Sequence, residues 1–168
     1  MRSEFIRLGP NAGVASEEAR WYNSLMDDPT IEIYAAIGDD VPFYTLVDNF
    51  YSEVETDLVL RPMYRDDLTD AKQHLALFLI QRFGGHGAYG NSRGHPRLRM
   101  RHVTFVIGKE QASAWVTHMR SAINRTPEFA PYAEIMLTYF QSSADFLINK
   151  EDIPSIEIQS RADDIRSG

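Results

Sequence analysis

The sequence predicts an all-α protein with short loops, and three observations support this fold class. Apolar side chains recur every three or four residues along several stretches, a spacing typical of amphipathic helices. Glycine and proline separate these stretches, as expected at helix ends. The best strand candidate, residues 103–107, is isolated, and a single strand does not make a sheet.

The predicted helices follow one another between these breaks. Asp40 is placed to cap one of them, with Pro42 in its first turn. The glycines that begin at Gly84 end the following helix, and the segment from there to Gly94 is expected to be a loop. The longer predicted helices span 41–55, 68–83, 110–124 and 131–149, and a short helix is predicted over 96–102.

The chain of 168 residues is long enough for one domain with its own core. Residues 1–30 are expected to form an N-terminal extension with a short helix over 16–26. Residues 31–150 are expected to form the domain, and residues 151–168 a polar C-terminal tail.

Composition narrows the class of protein. The formal net charge of −7 does not favour binding to nucleic acid or to an anionic membrane. Because the chain has no cysteine, disulfides, iron–sulfur clusters, thiol nucleophiles and covalent haem attachment are excluded. The sequence has neither an apolar run of about 18 residues nor a signal-peptide pattern. A cytoplasmic location is therefore expected.

A glycine pattern in the chain could suggest a dinucleotide site. Gly85, Gly87 and Gly90 match G-x-G-x-x-G by letter. The dinucleotide fingerprint requires a preceding strand within a βαβ unit, whereas here a helix precedes it. We interpret the segment as a flexible connector.

His102 stands out among the five histidines by its surroundings. Arginines precede it at 97, 99 and 101, and apolar side chains follow it. A haem requires such a combination, because imidazole binds iron, apolar groups cover the porphyrin and cations meet the propionates. His86 and His118 fit surface or structural roles. The histidine spacing does not support a zinc site, and no serine lies in a nucleophile elbow.

Tyr51, Tyr64 and Trp115 interrupt otherwise apolar patterns. A buried phenol or indole needs a hydrogen-bond partner. That partner is either the protein itself or a bound ligand, and periodicity does not choose between the two.

A longer motif adds to these observations. The run Gly94-His95-Pro96-Arg97-Leu98-Arg99-Met100-Arg101-His102 resembles that of the group II truncated haemoglobins. Other matching stretches keep the same order, and the resemblance covers roughly residues 32–150. They lie at 49–54, 62–68, 83–85, 89 and 114–115. The resemblance implies a two-over-two helical sandwich, which is an abridged globin fold.

The resemblance also implies site roles. His102 would be the iron ligand, and Tyr51, Tyr64 and Trp115 would stabilise a bound ligand. Ala71 would stand where many globins carry a distal histidine or glutamine. The connector at 64–68 is one residue shorter than in some relatives, which leaves the orientation of Tyr64 open. The remaining residues expected at the haem are Phe50, Leu75, Phe78, Leu98, Phe105 and Ile107 around the ring, and Arg101, Tyr89 and His74 at the propionates.

The implied function is binding of O2, NO or CO by a non-covalent haem b. An alternative is a haem enzyme that turns over peroxide or detoxifies NO, with an external reductase as electron donor. A third hypothesis is an interaction or sensor module whose extension touches a partner. The sequence leaves the physiological ligand and the oligomeric state open, a homodimer included.

Overall fold

The computed structural model describes residues 28–93 and 97–150, with residues 91–93 described by their backbone alone. The predicted helix over 16–26, the Pro96 start of the helix predicted over 96–102 and the tail from residue 151 lie outside the described residues. The helices are α1 Ile33–Ile37, α2 Val41–Val54, α3 Thr69–Arg82, α4 Ala88–Arg93, α5 Leu98–His102, α6 Lys109–Asn124 and α7 Ala133–Leu147. Short 3-10 helices span Pro29–Glu32, Arg61–Met63 and Pro127–Tyr132.

The four long helices form a two-over-two sandwich, as the resemblance implied. α2 packs against both α3 and α6, and α6 packs along α7. Their apolar faces meet in one main core, whose largest fully buried side chains include Phe43, Phe50, Phe83, Phe129 and Phe140. The described residues contain no strand, so residues 103–107 form a turn rather than the isolated strand candidate.

No helix within 28–93 or 97–150 is both long enough and apolar enough to span a bilayer.

The expectation of a loop between residue 84 and Gly94 is wrong, because α4 occupies much of this segment. Tyr89 is buried and meets the Phe78 ring edge-on, with centroids 5.5 Å apart. The Gly90 amide donates to Gln81 Oε1 at 2.8 Å. Contacts with α3 thus support α4, although its sequence has no marked apolar periodicity.

Asp40 precedes α2 as expected, but its side chain does not cap that helix. The Val41 amide donates instead to Asp39 Oδ1 at 2.9 Å. The Asp40 carboxylate accepts from the Tyr34 hydroxyl at 2.9 Å and contacts His86 Nε2 at 2.9 Å. Asp40 therefore links α1 to the turn after α3.

The last helix is shorter at both ends than the predicted 131–149. Pro131 lies in the preceding 3-10 helix, and the α-helix begins only at Ala133. At the other end Asn149 leaves the helix, because its side chain bonds to the loop after α5.

Residues 28–30, predicted as the end of the extension, contact the end of α3. Asp28 Oδ1 accepts from the Thr30 amide at 2.9 Å. Arg82 bonds to Asp28 Oδ2 and to Thr30 Oγ1, each at 2.7 Å. The Arg82 guanidinium also lies 4.1 Å from the centre of the Tyr139 ring, so the chain is fastened to two helices at this point.

We predict that Gly84→Ala destabilises the protein much more than Gly38→Ala. Both glycines have a left-handed φ, +95° and +79°, which costs an alanine about 1–2 kcal/mol. A Cβ at Gly84 would in addition lie 1.6 Å from the Ile31 carbonyl oxygen, whereas one at Gly38 meets nothing within 4 Å. Urea unfolding measures both changes. Equal losses would contradict the close approach of the 84 and 31 backbones.

Candidate functional site

A cavity of about 720 Å³ lies between the α2–α3 layer and the elements α5 to α7. This volume falls within the range of about 300–1,000 Å³ that cofactor and ligand sites occupy. Thirteen of the fourteen site residues expected from the sequence line it. They are Tyr51, Tyr64, Ala71, His74, Leu75, Phe78, Tyr89, Leu98, Arg101, His102, Phe105, Ile107 and Trp115.

Phe50 is the exception, because it does not line the cavity. It is fully buried in the main core. Its ring lies edge-on to Tyr51 at 5.0 Å and to Trp115 at 5.6 Å between centroids. Phe50 thus supports two wall residues from behind rather than forming the wall.

The sequence analysis missed the wall that α7 provides. Tyr139, Ser143 and Leu147 line the cavity at four-residue spacing, with Phe140 and Ala144 beside them. That spacing was a usable signal, because residues i, i+4 and i+8 share one helix face. Wall residues from other elements that were also missed are Leu60, Met63, Arg65, Asp67, Asp70, Leu79, Gln111 and Ala112.

His102 is oriented by its own helix. Arg97 precedes α5 in a left-handed conformation with φ 39°, and its carbonyl accepts from the Arg101 amide at 3.1 Å. The Leu98 carbonyl lies 2.7 Å from His102 Nδ1. A carbonyl only accepts, so Nδ1 carries a proton, and the lone pair of the neutral ring then lies on Nε2. The ring is therefore held in the tautomer that binds a metal through Nε2.

Asn149 holds the loop that follows His102. Its side chain accepts from the Ile107 amide at 2.9 Å and donates to the Phe105 carbonyl at 2.8 Å. Both of these loop residues line the cavity. The end of α7 thereby positions the part of the wall next to His102.

Three polar aromatic side chains meet at the cavity wall formed by α2, α6 and the connector at 64–68. The Tyr51 and Tyr64 rings lie edge-on with centroids 5.4 Å apart. The Tyr64 hydroxyl also interacts with Tyr51 and with Trp115. The two phenols and the indole each carry a hydrogen that can be donated. All three side chains line the cavity, so they form a group of donors beside a ligand bound there.

Burial keeps both phenols neutral. It raises the pKa of Tyr64 to about 12, although hydrogen bonds with Tyr51 and Trp115 act in the opposite direction. Burial and the neighbouring Tyr64 raise the pKa of Tyr51 further. Both groups consequently remain hydrogen-bond donors at neutral pH.

The donor set of the cavity fits a haem. One neutral imidazole nitrogen is available for iron, and apolar side chains such as Leu75, Phe78 and Leu98 form much of the wall. Cationic or basic groups at Arg65, His74 and Arg101 suit carboxylate propionates. The described residues contain no cluster of three or more His, Asp or Glu side chains that would hold a bare metal ion.

His86 and His118 lie outside the cavity and contact carboxylates. His86 pairs with Asp40 at 2.9 Å. His118 on α6 contacts Glu53 Oε2 through Nδ1 and Asp57 Oδ2 through Nε2, each at 2.8 Å. Ser121 also donates to Glu53. This cluster joins α6 to the end of α2 close to Trp115 and Tyr51.

Comparison with known proteins agrees with this architecture. The bacterial-like globin family matches residues 32–149. The group 2 truncated hemoglobin YjbI of Bacillus subtilis is 33% identical over 119 residues, which cover 71% of this chain and 89% of that protein. The hemoglobin of Chloroflexus aurantiacus is 43% identical with a TM-score of 0.68, covering 70% of this chain and 98% of that one. The truncated oxygen-avid haemoglobin of Bacillus subtilis is 32% identical with a TM-score of 0.66, covering 70% and 98%.

The helical sandwich, its cavity and these matches define a globin, which is a haem protein that binds a ligand at its cofactor. Within that class, the chain belongs to the group II truncated haemoglobins.

We predict that the cluster around His118 makes stability depend on acid pH. Burial of Glu53 raises its pKa, but bonds from Ser121 and His118 bring it below the usual value. The Leu60 amide and His118 lower the pKa of Asp57. A depressed folded-state pKa stabilises above the unfolded-state value and is lost on acidification. The free energy of unfolding should therefore fall below about pH 4.5.

Urea unfolding between pH 3 and pH 7 measures this effect. The double variant Glu53→Gln/Asp57→Asn should be less stable at pH 7 and should lose less stability between pH 5 and pH 3. Glu55→Gln, which alters an exposed carboxylate two residues from each of them, serves as control. An unchanged acid profile in the double variant would contradict the assignment.

Proposed function

We propose that the protein binds O2 and other small diatomic ligands, NO and CO included, at a haem b held by His102. The observation that best supports this proposal is the 2.7 Å hydrogen bond from His102 Nδ1 to the Leu98 carbonyl. This bond leaves Nε2 to ligate iron. Haem supplies an iron atom with a coordination position open to a gas. The similar truncated haemoglobin of Bacillus subtilis is oxygen-avid, which supports the choice of O2.

Several wall residues would hold the cofactor. Leu75, Phe78, Leu98, Phe105 and Ile107 offer apolar contact to a porphyrin. Arg101, Tyr89 and His74 line the same cavity and would meet the propionates. Ala71 has the smallest of these side chains, so it leaves room for a ligand without donating to it.

Tyr51, Tyr64 and Trp115 would contribute unequally to the binding of a ligand. We infer that Tyr51 and Trp115 donate to the Tyr64 oxygen, since both interactions lower the pKa of Tyr64. Tyr64 Oη–H would then be the donor that faces the ligand. The two other groups would act by fixing the orientation of that hydroxyl. This assignment gives Tyr64 the leading role, whereas the resemblance alone implied three parallel donors.

The same network favours retention of a ligand over turnover of peroxide. General acid–base catalysis is most effective when the pKa of the group lies near the working pH. The pKa of Tyr64 is about 12 and that of Tyr51 is higher still. These phenols donate hydrogen bonds at neutral pH but exchange protons poorly, so an enzymatic function with an external reductase is the second candidate.

We predict that His102→Ala abolishes the Soret band of the purified protein or shifts it strongly, because the iron loses its protein ligand. Absorption spectroscopy after titration with haemin measures this change. His86→Ala, which alters an exposed histidine paired with Asp40, should leave the spectrum unchanged. A normal Soret band in His102→Ala would overturn the proposed ligand.

We predict that Tyr64→Phe accelerates O2 release about tenfold or more. A hydrogen bond to a charged or strongly polarised acceptor contributes roughly 1.5–3 kcal/mol, and about 1.4 kcal/mol is a tenfold change. Trp115→Phe and Tyr51→Phe should have smaller effects, because they act through Tyr64. Stopped-flow measurement of the O2 release rate compares the variants.

The double variant Tyr64→Phe/Trp115→Phe distinguishes an indirect role of Trp115 through Tyr64 from a direct bond to the ligand. If Trp115 acts through Tyr64, the double variant should release O2 at about the rate of Tyr64→Phe alone. Multiplication of the two single effects would show instead that Trp115 donates to the ligand independently.

A further inference from the structure

An exposed apolar surface lies on α5, the loop after it and the end of α7. Met100, Val103, Val106 and Phe146 are 67%, 72%, 65% and 54% exposed, and we call these four residues the α5 patch. None of them lines the cavity, so a bound cofactor does not cover them. Clustered apolar exposure on this scale is typical of a surface that another segment or molecule covers.

The α5 patch is continuous across two elements. The Arg99 guanidinium lies 5.4 Å from the centre of the Phe146 ring, which joins α5 to the last turns of α7. The loop carrying Val103 and Val106 is joined to the end of α7 through Asn149. One segment of chain could therefore cover all four residues.

The path of the backbone indicates which segment lies nearest. The amides of Asn149 and Lys150 both donate to the Ile107 carbonyl, at 2.9 and 3.0 Å. The chain that continues beyond Lys150 thus starts beside Val106. At about 3.3–3.6 Å per extended residue, a few residues suffice to cross the patch.

The sequence that follows is complementary to the patch in polarity and in charge. Residues 151–158 read Glu-Asp-Ile-Pro-Ser-Ile-Glu-Ile, with three isoleucines and three carboxylates among eight residues. Arg97 and Arg99 are exposed beside the patch. In a chain with a net charge of −7, this cationic flank suits an acidic segment.

We propose that residues 151–158 dock on the α5 patch of the same chain. The isoleucines would cover Met100, Val103, Val106 and Phe146, and the carboxylates would lie near Arg97 and Arg99. The docked segment would shield the outer side of the helix that carries His102. This proposal does not depend on which ligand the iron binds.

Disulfide trapping tests the proposal in the full chain, which has no cysteine of its own. The pair Val103→Cys/Ile156→Cys should oxidise to an intramolecular disulfide about tenfold faster than Val103→Cys/Ser160→Cys. The two pairs have similar tether lengths, so an undocked segment would give similar effective concentrations. Mass spectrometry and non-reducing electrophoresis identify the products. A high salt concentration or Arg99→Glu should reduce the difference.

A second measurement avoids engineered cysteines. Ile156→Glu/Ile158→Glu should increase the fluorescence of an apolar dye that binds the uncovered patch, whereas Ile165→Glu should not. Equal trapping rates for the two pairs would overturn the proposal. It would equally be overturned if Val103→Cys alone cross-linked two chains faster than either pair closed, because a second copy would then occupy the patch.

Discussion

The placement of the cavity's hydrogen-bond donors depends on how Phe50 packs. Its ring is fully buried and lies edge-on to Tyr51 of α2 and to Trp115 of α6. Protein interiors are packed to near-crystalline density, so a ring in this position sets the separation of the helices it touches. Tyr51 and Trp115 consequently reach the same Tyr64 hydroxyl. A residue that never touches the cavity thus decides where its polar groups meet.

A polar contact reinforces the same pair of helices close to Trp115 and Tyr51. His118 lies one turn after Trp115, and Glu53 lies two residues after Tyr51. Their contact, together with that to Asp57, is only partly exposed to solvent. Arg125 adds a bond to the Asn49 carbonyl. Apolar packing and polar contacts together hold α2 and α6 in a single relative position.

The sequence predicted the helices that have a periodic apolar face. It did not predict the features that depend on contacts between elements. The four long helices were found to within two residues because each buries one continuous apolar face. α4 was missed because its support comes from Phe78 and Gln81 of another helix. Asp40 was expected to cap a helix, but a distant histidine and tyrosine use its carboxylate.

The candidate site divides in a similar way. Local pattern singled out His102, but only the resemblance connected it to Tyr51, Tyr64 and Trp115. How these three side chains contact one another depends on how their helices pack, and no sequence motif predicts that packing. The contribution of α7 was missed because Tyr139 and Ser143 give its cavity face a mixed polarity.

The contacts of Arg82 set a limit on how the chain can be shortened. Its guanidinium is shared between Asp28, Thr30 and the face of Tyr139, and Tyr139 is itself a cavity wall residue. A fragment that begins at Asp28 keeps all of these contacts. A fragment that begins at residue 31 leaves a half-buried cation without its carboxylate, next to an aromatic ring that lines the pocket. The contacts of the folded domain therefore begin at residue 28, three residues before the boundary that was predicted at residue 31.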